Sequence, residues 1–185
     1  MIITKTKLAG MMLIEPQAFE DTRGYFMETH HQQKYAAAGI TCTFVQDNLS
    51  YSVQNTLRGL HYQAPHSQAK LVQVIQGAIF DVAVDIRRGS PSFGRWDCAT
   101  LSDTNRLQLY VPEGFAHGFC VLSPTAYVSY KCSDFYAPLT EGGVHYRDPD
   151  LGIPWPITQP LLSDKDRQFP LLKDIPLEKL PPYKP

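Results

Sequence analysis

The feature that most constrains the fold is the run AIFDVAVDIR at 78–87, in which an apolar face alternates with a mixed one. Side chains of an extended chain point alternately to its two faces. Ala78, Phe80, Val82, Val84 and Ile86 therefore share one side of a strand, and Ile79, Asp81, Ala83, Asp85 and Arg87 share the other. Such a strand meets a core with one face and a polar space with the other. Shorter β-type runs recur at Thr43–Gln46, Thr56–Gln63, Lys70–Gln76, Arg106–Val111, Gly118–Leu122 and Tyr127–Cys132, separated by turns such as Gly89-Ser90-Pro91 and Pro112-Glu113-Gly114. This spacing predicts a mainly β sandwich or closed barrel.

A helical period is confined to Gln32–Ala38, ahead of a stop at Gly39. From Pro149 onward proline is frequent (154, 156, 160, 170, 176, 181, 182 and 185), which predicts an extended, loop-rich segment over 149–185 that wraps the body of the molecule. With 185 residues, one domain spanning 1–185 is expected.

The balance of 17 basic and 18 acidic residues supplies no general field for nucleic acid or an anionic membrane, so any anion must be held locally. Cys42, Cys98, Cys120 and Cys132 lack CxxC or zinc-type spacing and read as reduced thiols of a cytoplasmic protein. The apolar piece Met11–Ile14 is too short to span a bilayer and lacks the pattern of a signal peptide.

The chemistry concentrates in TLRGLHYQ at 56–63, where Arg58 and His61 flank a glycine. Strict alternation would send them to opposite faces, but a bulge at Gly59 can turn both into one cavity, putting a phosphate-holding cation beside a proton-moving imidazole; the alternative is an edge strand with a solvated Arg58 and a His61 satisfied by a neighbouring carbonyl. An imidazole titrates near pH ~6.5, which makes His61 the first candidate for a general base. His30, His31, His66 and His145 sit in polar or turn contexts that suit structural roles, whereas His117, in GFAHG, is as well placed for function as for structure. Lys70 can neutralise a developing enolate oxygen, Tyr130 can donate a proton and Asp166 can orient His61. The bland alternatives are a surface ion pair, a packed ring and a helix N-terminal residue. Metal binding is disfavoured, because no His-x-His pair occurs and His61 and His66 are separated by a proline.

Together the ordered motifs FEDTRGYFMET (Phe19–Thr29), FVQDN, LRGLHYQ, FDVAVDIRRGSPSFGRW, VPEGFAHGF, Tyr130, DPDLGIPWP and LSDKD resemble the dTDP-4-dehydrorhamnose 3,5-epimerase family of nucleotide-sugar epimerases, over nearly the whole chain. The resemblance implies a cupin-like jelly-roll β-barrel with short helices that works without metal or other cofactor. It implies epimerisation at carbons 3 and 5 of a dTDP-4-keto-6-deoxy sugar in dTDP-rhamnose biosynthesis, with His61 as proton acceptor, Asp166 as its partner and Tyr130 as proton donor. Lys70 and His117 then contact the sugar. Phe19, Arg23, Glu28, Gln46, Asp47, Asn48, Arg58, Glu141 and Lys165 fall at substrate-binding positions, and Tyr136 falls where a ring stacks on thymine. A homodimer with exchanged N-terminal strands is also implied. One departure is Arg147, which precedes Asp148 where the family usually has Asn-Asp. Competing readings are a monofunctional 3- or 5-epimerase, a sugar-nucleotide ketoisomerase, a non-catalytic nucleotide-sugar-binding cupin and a metal-dependent cupin dioxygenase.

Overall fold

The computed structural model describes residues 1–184, and Pro185 lies outside the described residues. Numbered in chain order, one antiparallel sheet runs β1 (Ile2–Lys5), β2 (Met12–Glu15), β10 (Gln108–Val111), β7 (Lys70–Gln76), β12 (Thr125–Cys132) and β5 (Gln46–Val53). A second runs β13 (Glu141–Gly143), β6 (Leu57–Gln63), β11 (Phe115–Val121), β8 (Ala78–Asp85) and β9 (Trp96–Ser102), while β3 (Ala18–Asp21) and β4 (Gly24–Met27) form a separate hairpin. Among the described residues helix is limited to α1 (Gln32–Ala37), α2 (Asp164–Arg167) and single 3₁₀ turns. The architecture is mainly β and cupin-like, as expected.

The two sheets meet through a shared apolar core. Val72, Val74, Leu109, Val111, Ala126 and Val128 come from the first sheet, and Ile79, Ala83, Leu101, Phe115, Phe119 and Val121 from the second. The expectation for β8 needs a correction, because both of its faces are buried. Ile79 and Ala83 of the mixed face join the core between the sheets, while Val82, Val84 and Ile86 pack against Leu151, Leu172, Ile175 and Leu180. The proline-rich C-terminal stretch thus supplies the cover for what would otherwise be an exposed apolar face, and burying it there is favourable at roughly 25 cal/mol per Å².

Three strand boundaries also differ from the sequence reading. Thr43–Val45 lie outside the strand, which begins at Gln46, because Gln46–Val53 is the stretch in register with Cys132–Thr125. Arg106 sits at φ 55 in a turn, so β10 starts only at Gln108. In contrast β11 starts early, at Phe115, as soon as Gly114 (φ 83) completes its turn, and this draws His117 out of the loop and into the ladder.

Strand β5 is inverted. Its exposed residues are Asp47, Leu49, Tyr51 and Val53, while Gln46, Asn48, Ser50 and Ser52 point to the interior side. A strand normally buries its apolar face. Here the interior at that end is a polar cavity.

Candidate active site

β6 builds the first wall. Leu57 and Leu60 anchor it in apolar clusters, and opposite β11 its register slips: His117 pairs with His61, but Phe119 pairs with Arg58, so β6 carries one extra residue. The bulge needs backbones at close quarters. A Cβ on Gly59 (φ 120) would lie 2.6 Å from the Gly118 Cα, and a Cβ on Gly118 would lie 2.6 Å from the Arg58 carbonyl oxygen. Two facing glycines therefore allow the kink that brings Arg58 and His61 to one cavity.

That cavity, about 380 Å³, takes walls from both sheets. Arg58 and His61 on β6, His117 on β11 and Glu141 on β13 face Gln46 and Asn48 on β5, Lys70 on β7 and Tyr130 and Cys132 on β12, with Tyr136 at the edge. An adjoining open depression is lined by Arg58, His61, Ser163, Lys165 and Asp166. The short helix α2 presents Asp166 because Ser163 caps it, accepting a hydrogen bond from the Asp166 N–H.

His61 Nε2–H donates to Asp166 Oδ1 at 2.6 Å, with Asp166 buried and the His61 side chain 30% exposed. The Phe169 ring packs against the imidazole at 76°, centroids 5.6 Å apart. Burial alone would raise the Asp166 pKa, but the bonds from His61, Ser163 and the Gly59 N–H outweigh it and hold the carboxyl below its usual range. Asp166 is therefore an anion that fixes the His61 ring and leaves Nδ1 as the nitrogen with a free lone pair.

The other cavity groups have complementary tuning. Burial pushes the Tyr130 phenol up, so it keeps its proton at neutral pH. Burial pulls the Lys70 ammonium down, opposed by the nearby Cys132, Asp81 and Glu141. His117 Nε2–H donates to Asp81 Oδ1 at 2.8 Å, and both side chains are almost fully buried. Glu141 gathers two further positions, accepting from Lys165 Nζ at 2.6 Å and from the Tyr136 hydroxyl at 2.7 Å. Those two bonds overcome burial and keep the Glu141 carboxyl low.

Four sequence candidates lie away from this cavity within one chain. Phe19 and Arg23 stand on the β3–β4 hairpin, where Arg23 pairs with Asp21 at 2.6 Å with its side chain 88% exposed. Glu28 pairs with Lys34, and Asp47 on the outer face of β5 pairs with Lys131. Arg147 lies over the Tyr146 ring and donates through Nη2 to the Thr158 carbonyl at 2.7 Å, tying down its own loop. Among the described residues no group of three or more His, Cys, Asp or Glu side chains is placed to hold a metal ion.

Sequence reasoning passed over two contributors. Asp81, the partner of His117, was visible only as a carboxylate on the mixed face of β8. Gln63, last of LRGLHYQ, is buried and grips the loop that carries Tyr136: Nε2 donates to the Phe135 carbonyl and Oε1 accepts from the Ala137 N–H. A buried glutamine at the end of a motif rich in site residues is the signal that could have found it.

The family model for dTDP-4-dehydrorhamnose 3,5-epimerase matches residues 5–174. The dTDP-4-dehydrorhamnose 3,5-epimerase of Neisseria gonorrhoeae is 54% identical over 90% of this chain, which spans about half (51%) of that relative's length. The enzyme of the same name from Methanothermobacter thermautotrophicus is 47% identical over 94% of this chain and 95% of its own. Among solved structures, the dTDP-6-deoxy-D-glucose-3,5-epimerase of Legionella pneumophila in complex with dTDP-4-keto-L-rhamnose is 48% identical and superposes with a TM-score of 0.97, covering 100% of this chain and 99% of that one. A chain matched by the family model over almost its whole length, and this similar to members of full length, belongs to the dTDP-4-dehydrorhamnose 3,5-epimerase family.

Proposed function

We propose that this protein epimerises carbons 3 and 5 of dTDP-4-dehydro-6-deoxy-D-glucose to give dTDP-4-dehydro-L-rhamnose, a step of dTDP-L-rhamnose biosynthesis. The observation that carries the reading is the division of labour between the sheets: His61 stands on the five-stranded sheet and Tyr130 on the six-stranded one, and both line the same cavity. Inverting a carbon requires removing its hydrogen on one face and returning one on the other. A base and an acid on different walls provide that.

The ketone at carbon 4 acidifies the hydrogens on carbons 3 and 5. His61 Nδ1 takes the proton, with Asp166 stabilising the imidazolium that forms. Lys70 and His117 meet the charge that develops on the carbon-4 oxygen. Tyr130, kept protonated by burial, delivers a proton to the opposite face. Arg58 suits the diphosphate, since a planar guanidinium matches phosphate oxygens in pairs. Tyr136, held by Glu141 and Gln63, offers its ring to thymine. Proton transfer alone completes the reaction, so dialysis against a strong chelator is expected to leave turnover unchanged.

We further propose a cytoplasmic homodimer in which the N-terminal hairpin of one subunit completes the pocket of the other. Support comes from two surfaces of one chain: the inverted face of edge strand β5, with Leu49 at 65% exposure, and the hairpin bearing the exposed Phe19, Tyr25 and Phe26. Contiguous exposed apolar faces mark interaction sites. Phe19, Arg23 and Glu28, remote from their own cavity, would then serve the neighbour's. Mixing inactive Arg23→Ala and His61→Ala proteins under subunit exchange should restore activity; proven heterodimers without recovery would defeat the shared pocket. The four free thiols fit a reducing compartment.

Incubation with dTDP-4-keto-6-deoxyglucose in deuterated water, followed by NMR, tests the main reading. Deuterium with inversion at both carbons is expected. Exchange at one carbon alone selects a monofunctional epimerase, and no exchange a binding module.

A further inference from the structure

Two histidines stand side by side in the cavity, for His117 is the register partner of His61 across the β6–β11 ladder. Each has a buried carboxylate behind it, Asp166 for His61 and Asp81 for His117. The reaction above gives the first pair its task as base. It assigns none to the second carboxylate.

Asp81 is unusual in its surroundings. It is wholly buried, and while Oδ1 accepts from His117, Oδ2 has no hydrogen-bond partner among the described residues. A bare buried carboxylate oxygen is costly and calls for an explanation. Its charge also reaches Lys70, for which Asp81 is one of the groups opposing the effect of burial. One buried anion thus serves two cation-forming side chains that line the cavity. Because Asp81 occupies Nε2, His117 can meet a ligand only through Nδ1.

We propose that Asp81 is a positioning residue of the reaction: it holds the His117 ring, protonated on both nitrogens when it acts, so that Nδ1–H faces the substrate oxygen on which enolate charge develops, beside Lys70. The inference rests on the epimerase reading. The two His–Asp pairs then divide the work, one accepting the proton and the other donating a hydrogen bond to the oxyanion. Asp81 touches no substrate and acts through the ring it holds.

A double-mutant cycle tests this. Asp81→Asn keeps the shape and removes the charge, and it should lower kcat by about 10²-fold, the low end of what losing one oxyanion donor costs, with KM little changed. In a His117→Gln background the same change should cost almost nothing more, since the ring it positions is gone. An equal loss in both backgrounds would overturn the proposal. A second measurement needs no variant: two-bond ¹H–¹⁵N spectra of the unmodified protein should show protons on both ring nitrogens of His117, and a ring protonated on one nitrogen alone would overturn the proposal. If the unmodified protein fails to exchange deuterium into dTDP-4-keto-6-deoxyglucose, it is the epimerase reading that falls, while the spectra still decide whether Asp81 holds His117.

Discussion

Strand β8 carries two fully buried carboxylates on the same face, four residues apart, and their wiring is opposite. Asp85 is saturated: Oδ1 accepts from Arg87 N–H (3.0 Å) and Nε (2.9 Å), and Oδ2 from Arg87 Nη2 (2.7 Å), Ser90 Oγ (2.6 Å) and Ser92 Oγ (2.6 Å). The Arg87 guanidinium in turn lies 4.5 Å over the Phe115 ring and 5.1 Å from that of Tyr183, so the node also fastens the C-terminal segment. Asp81 has His117 alone and one bare oxygen. Where a buried charge serves architecture, every lone pair is used. Where it stands behind a residue of the cavity, capacity is left open, and Lys70, which feels its charge, has no ion-pair partner among the described residues. The difference separates groups that hold the fold from groups that wait for a ligand.

The largest effects should come from the open end and should appear in rate, not stability. His61→Asn keeps a hydrogen bond to Asp166 but cannot accept the proton, so both deuterium exchange and product should fall by about 10²–10⁴, with thermal unfolding near that of the unmodified protein. Asp166→Asn should be milder. Tyr130→Phe should let abstraction survive while blocking delivery: deuterium enters substrate that keeps its configuration, and little inverted product forms. Normal inversion in Tyr130→Phe would make that ring a packing residue.

At the saturated end the signature should reverse. Asp85→Asn strands the buried Arg87 guanidinium and should cost about 3–5 kcal/mol in denaturant unfolding, while kcat per folded molecule stays unchanged. A loss of kcat without loss of stability would break the contrast between the two carboxylates. The pH dependence follows with a definite sign. Burial alone would raise the Asp85 pKa, yet the bonds from Arg87, Ser90 and Ser92 hold it below its ordinary value. Its stabilisation is therefore complete above the unfolded carboxyl value near pH ~3.9 and fades as pH falls through the folded one. Between those two values the unmodified protein should lose stability with acid more steeply than Asp85→Asn.

Much of the open end was legible in the sequence, because its clues are local. The glycine between Arg58 and His61 marked a bulge, and Lys70 and Tyr130 fell on strands whose alternation was readable. What stayed hidden depends on distant pairing. Asp81 meets His117 across 36 residues of chain, and nothing in the local pattern names that partner; Asp166 meets His61 across 105, a pairing that the family resemblance named and no local pattern did. Strand β5 runs against pattern for a related reason: in QDNLSYSV the apolar positions would ordinarily turn inward. The cavity reverses that preference by taking the polar side.

The smallest effect is also the sharpest test of the contrast, because it predicts a gain. Lys70 keeps an ammonium in a cavity where burial lowers its pKa, so the folded state binds that proton less readily than the unfolded chain does. At neutral pH the charge therefore weighs against folding, and the handicap disappears as pH rises past the lowered value, where the folded protein sheds the proton first. Lys70→Met keeps the length of the side chain without its charge. It should raise unfolding stability at pH 7 by about 0.5–2 kcal/mol, the usual scale for relieving one unfavourable site, and remove most of the turnover. The gain should shrink toward alkaline pH. Denaturant melts of the two proteins across that range measure it directly. If Lys70→Met were instead less stable, Lys70 would belong with Arg87 among the residues that hold the fold, and the division between saturated and open charge would not run where the hydrogen bonds place it.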